Sequence, residues 1–128
     1  MIKELAEQKA IYHWFCLQYP KYRKSWSLSM NGVFLRGTNI ERAKAIASMK
    51  AQGMQNGEAD FKILLPRRGF HGLVIEYKAE QGKHKPTMDQ IDYLDYMAYQ
   101  GYFAVICKGI DAAKDTITKY IEGNNEHI

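Results

Sequence analysis

A chain of 128 residues with 46% hydrophobic content is long enough to bury one core and too short for two, so a single compact domain is expected over 1–128. Lys3, Glu4, Glu7 and Lys9 interrupt the apolar positions of the N-terminal stretch, and no later apolar run reaches about 20 residues, which argues against a signal peptide or a membrane span and for a cytoplasmic protein. The formal charge of +4 is unevenly spread: residues 1–88 hold 15 Lys and Arg against 7 Asp and Glu, residues 89–128 hold 3 against 7, and a basic region of this kind suits a polyanionic partner.

Ile2, Leu5, Tyr12, Phe15 and Tyr19 recur at helical spacing, predicting an amphipathic helix over 2–19 that Pro20 stops. In KYRKSWSLSMNG, Trp26, Leu28 and Met30 alternate with serines, the pattern of a short half-buried strand ending at Asn31-Gly32. TNIE at 38–41 is a capping box that opens a helix carrying Ile40, Ala43, Ile46, Ala47 and Met49 and stopping before Gly53. ADFKILL and HGLVIEYK then read as two strands joined through PRRGF, where Pro66 and Gly69 mark a turn.

TMDQ at 87–90 is a second capping box, and its helix turns Met88, Ile91, Leu94 and Ala98 inward until Gly101. YFAVICK is a continuous apolar run of the length expected for a central strand buried on both faces. Asp111 is placed to cap a last helix with Ala112, Ile117, Tyr120 and Ile121. The order α-β-α-β-β-α-β-α predicts an α/β fold with a mixed central sheet flanked by helices. Cys16 and Cys107 stand alone in apolar surroundings, as reduced thiols do, and the four histidines show no metal-ligand spacing.

The strand GLVIEYKAE asks for an explanation, because its apolar start gives way to Glu76 and Lys78 on one face, about 7 Å apart. Folding the hairpin about Arg68 sets Asp60 directly opposite Glu76, with Cβ atoms about 5 Å apart. Two carboxylates so placed repel each other unless a cation sits between them. Mg²⁺ suits such oxygen donors, and Asp60, Glu76 and the main-chain carbonyl of Tyr77 form a partial set of ligands. Lys78 beside them fits phosphodiester hydrolysis, where an ammonium orients the nucleophile and offsets developing charge. The competing reading of Glu76 and Lys78 is an exposed ion pair on a solvated sheet face.

GMQNGEADFKILLP, GLVIEYKAEQGKHKPTMDQIDYL and GYFAVICKGIDAAKDTITKYI together resemble the VRR-NUC branch of the PD-(D/E)XK nuclease superfamily, over roughly residues 53–121. The shared pattern is a Gly-rich approach to a strand-start Asp, an E-x-K strand, a Gln early in the next helix and a Gly-Tyr entering the following strand. The resemblance implies a restriction-endonuclease-like core, with Asp60 and Glu76 as metal-binding acids, Lys78 as the motif lysine, Gln90 as the helix glutamine of the site and Glu7 as an acid joining from the first helix. Ala59 stands where the superfamily motif has Pro, a residue that presets the backbone and contributes no chemistry.

Lys83, His84 and Lys85, in the loop after the E-x-K strand, are the first candidates for phosphate contacts, followed by Arg67 and Arg68 at the hairpin tip. A Mg²⁺-dependent endonuclease, with Mn²⁺ able to substitute and no small-molecule cofactor, is the function expected. Branched DNA such as four-way junctions is the substrate class the resemblance implies, and a homodimer would match paired cuts. The setting expected is a bacterial or phage-infected cell. The alternatives are a non-catalytic nucleic-acid-binding or recombination accessory protein, and a protein-interaction module using Tyr93, Tyr96, Tyr99 and Tyr102.

Overall fold

A computed structural model describes residues 2–30, 35–82 and 85–123 of the chain. Its elements are α1 (Ile2–Gln18), a 3-10 turn (Pro20–Ser25), β1 (Trp26–Leu28), α2 (Asn39–Ala51), β2 (Phe61–Ile63), β3 (Leu73–Lys78), α3 (Met88–Tyr99), β4 (Phe103–Lys108) and α4 (Ile110–Glu122). The α/β order and the mixed sheet read from the sequence are those observed. The strands run β1-β2-β3-β4, with the first two pairings antiparallel and the last parallel. Among the described residues no helix is long and apolar enough to cross a membrane.

The β2–β3 hairpin has the predicted register, pairing Phe61 with Ile75 and Ile63 with Leu73 about Arg68. Arg68 takes the left-handed conformation at φ 57° that closes this turn. Successive side chains of a strand alternate, so β3 serves two layers. Leu73, Ile75 and Tyr77 join Ile11 and Phe15 of α1 and Ile117 and Tyr120 of α4 in the larger core. On the other face Val74 packs with Ala59 and Leu94, under α3. Trp26 extends the larger core across the sheet by stacking on Phe61, with ring centroids 4.2 Å apart.

Four sequence expectations need correction. YFAVICK is not central: β4 pairs only with β3 among the described residues, and Ile106 is exposed, whereas β3 is the strand buried on both faces. The apolar run of β4 is explained by helices covering its two faces, which say nothing about its edge. Asp111 does not cap α4, whose N-cap is Gly109, and Ala113 rather than Ala112 turns inward. On α1 the buried stripe is Ile11 and Phe15, while Leu5 and Tyr12 are exposed. On α3 Leu94 is buried, but Met88 and Ala98 are exposed. The predicted strand end at Asn31-Gly32 lies outside the described residues.

Candidate active site

Three strand ends meet at one end of the sheet. The main-chain N–H of Ser29, just past β1, donates to the carbonyl of Asp60, just before β2, at 2.9 Å. Extending the β2–β3 register by one residue sets Asp60 against Glu76, two residues before the end of β3. The paired ladder stops at Phe61, and the Asp60 carboxylate takes over: its Oδ2 accepts the Tyr77 N–H at 2.6 Å, a donor that a longer β2 would have used. Since the N–H and C=O of one strand residue point to the same side, the Tyr77 carbonyl shares this open edge with Asp60.

Glu76 is only 2% exposed, which rules out the solvated-surface-pair reading of the E-x-K motif. Burial first, and then the facing Asp60 charge, push its carboxyl up to about 8. Asp60 is raised as well, chiefly by burial and against the pull of the Tyr77 N–H. Lys78 offsets part of this repulsion, with Nζ 3.5 Å from Glu76 Oε2. The site is therefore short of positive charge.

Gln90 closes the arrangement. Its Nε2 donates to Glu76 Oε2 at 3.2 Å, and its Oε1 accepts from Lys78 Nζ at 3.3 Å and from the Thr87 N–H at 2.9 Å. The last contact, with Gln90 N–H donating to Thr87 Oγ1, completes the capping box of α3. Cap and site residue are one side chain. Replacing Gln90 by Ala should therefore lower the melting stability by about 1 kcal/mol and slow the chemical step as well; a thermal melt and a single-turnover assay on the same preparation check both.

The approach to Asp60 explains the glycine in MQNGE. Gly57 has φ +72°, and a Cβ there would lie 2.3 Å from the Asp89 carbonyl oxygen, inside the first turn of α3. Gly57→Ala must push that turn away and carry Gln90 with it. The expected result is a loss of about 1–3 kcal/mol in stability together with reduced activity, read by melting and turnover.

Glu7 does not reach this edge. Its Oε1 accepts from the Tyr77 hydroxyl at 2.8 Å, on the core face of β3 opposite Glu76. The acid that does arrive from α1 is Glu4, whose Oε2 accepts the Ala79 N–H at 3.1 Å and whose charge raises Asp60. Glu4 and Glu7 stand one helical turn apart, so their spacing announces an acid on this side of the helix but not which turn delivers it. Arg67 and Arg68 lie at the far end of the hairpin, about 20 Å of strand away, where Arg67 stacks over Tyr22 and Arg68 approaches the Lys119 carbonyl. Lys85 is exposed in the loop that leads from β3 to α3; Lys83 and His84 lie outside the described residues.

Among the described residues no three His, Cys, Asp or Glu side chains converge as a metal cage. The donors are instead two facing carboxylates at an open main-chain edge, a set that suits a hard cation such as Mg²⁺, which retains several of its own waters.

An acid before one strand, an E-x-K on its hairpin partner and a glutamine at the start of the following helix define a restriction-endonuclease-like domain. No family model matches the sequence, and no curated protein does either. Among solved structures, a VRR-NUC domain protein superposes with a TM-score of 0.77 at 27% identity, covering 95% of this chain and 90% of that one. The fold of this chain is that of a VRR-NUC domain.

Proposed function

We propose that this domain is a metal-dependent DNA endonuclease that hydrolyses phosphodiester bonds, with Mg²⁺ as its ion and Mn²⁺ able to substitute. The observation that carries the reading is the buried, mutually repelling pair of Asp60 and Glu76 at a strand edge, flanked by an ammonium. Asp60, Glu76 and the Tyr77 carbonyl would hold the cation, which when bound polarises a phosphoryl oxygen and acidifies a water. Lys78 orients the attacking oxygen and offsets charge building on the phosphoryl group. Gln90 fixes the Lys78 ammonium and one Glu76 oxygen, so that neither has to reorganise during reaction.

The substrate class we assign is branched DNA, four-way junctions first, cut in a bacterial or phage-infected cell by a homodimer whose two-fold axis relates paired incisions. Tyr96 and Tyr99 on the outer side of α3 are exposed beside Asp92 and Asp95, a surface better suited to protein than to phosphate. The test is incubation of the protein with labelled linear, flap and four-way-junction DNA in Mg²⁺, Mn²⁺ or EDTA, with the cuts mapped and the mass in solution measured. Metal-dependent incision at junctions by a dimer is the expected result. A DNA shift without cleavage in either metal would replace the enzyme by a binding protein.

A further inference from the structure

The chain leaves the sheet after Ser29 and comes back to it at Asp60, and the Ser29–Asp60 main-chain bond holds those two points together. The described residues between them, α2 included, form an excursion from the end of the sheet that carries the carboxylate pair. The described part of this excursion before Glu58 contains Arg36, Arg42, Lys44 and Lys50 against a single acid, Glu41. Glu41 is turned back into the α2 capping box with Thr38.

Nothing on α2 is buried. Its inner stripe of Arg42, Ala45 and Met49 is only half-covered, and Arg42 is held by the Gly37 carbonyl and Asn39. Lys44 and Lys50 are exposed and form no ion pair with a described residue. They stand about 9 Å apart along the axis. The C-terminal end of the helix rests over a cavity of about 200 Å³ lined by Met30, Met49, Gln52, Met54 and Glu58. Unbranched thioether side chains there allow the helix to settle against a bulky partner without breaking a rigid interface. α3, by contrast, exposes Asp89, Asp92 and Asp95 with no basic residue on the helix, so a phosphate backbone is repelled from that side.

We propose that α2 is a DNA-backbone contact arm, with Lys44 and Lys50 each neutralising a phosphate of the duplex flanking the scissile bond. The assignment rests on the nuclease reading above and adds to it the surface along which the substrate lies. Because the contacts are to phosphate, they are blind to base sequence and strongly dependent on salt.

The test measures affinity for linear duplex DNA in EDTA, where no cleavage occurs, over a series of salt concentrations. The proteins compared are the parent, Lys44→Ala/Lys50→Ala, and Lys114→Ala/Lys119→Ala, which removes the same charge from α4. The α2 variant should bind more weakly and lower the slope of log affinity against log salt by about 2 units, one per lost contact, with the α4 variant keeping the parental slope. An unchanged slope in the α2 variant, or an equal fall in both, overturns the proposal while parental DNA binding leaves the nuclease reading standing. Failure of the parent to bind any DNA overturns both. Anionic phospholipid vesicles provide the last arm: binding to them that is lost in the α2 variant, with DNA affinity untouched, would reassign the helix to a membrane surface and also overturn it.

Discussion

Asp60→Ala and Glu76→Ala should each abolish metal-dependent cleavage, by on the order of 10³-fold or more, in a protein that remains folded. Each substitution removes one of two carboxylates that face each other under burial, and with it one of the few strong oxygen donors at the open edge. Measured in EDTA, the Glu76 variant should melt no lower than the parent, because the repulsion and the cost of burying the charge disappear together. Mg²⁺ should raise the melting temperature of the parent and leave both variants where they are. Near-parental cutting by either variant, in a preparation free of contaminating nuclease, would remove these residues from the site.

Lys78→Ala is the second large effect, and it should fall on the chemical step. The ammonium is fixed between Glu76 and Gln90 on a strand, close to the acids and with only a small part of its side chain in solvent. A group so held acts when charge develops in the transition state, so single-turnover cleavage should drop by on the order of 10²–10³-fold. DNA affinity and its dependence on salt should change little. Lost binding with a preserved cutting rate would make Lys78 a phosphate contact instead.

The register that joins Asp60 to Glu76 was legible because the turn is symmetric about Arg68 and a one-residue slip would turn Phe61 and Ile63 out of the core. Both helix starts were legible for a similar reason, since a capping box states its own geometry. What stayed hidden depends on how elements sit against one another. The residues of β4 report that helices cover its faces, and nothing in them distinguishes an edge from a centre. Glu4 and Glu7 differ by one turn of α1, and the choice is made by where that helix crosses β3. The apolar positions of α2 suggest a buried stripe, yet the helix lies outside both cores. Gln90 carried two readings in the sequence, capping-box residue and glutamine of the site, and one side chain makes both sets of contacts.

That double use of Gln90 ties the order of the site to the fraying of a helix end. Thr87 and Gln90 lock the first turn of α3, and the Ile91 N–H closes the same turn on the Thr87 carbonyl at 3.0 Å. Opening that turn, a fluctuation that costs far less than global unfolding, releases the contacts to Glu76 and Lys78 in the same event. On the proposed mechanism, competence for cleavage would follow the fraction of molecules in which one turn of helix is closed. A ligand that favours the assembled acids and ammonium must also close that turn, so amide protons at the start of α3 should exchange more slowly when the site is filled.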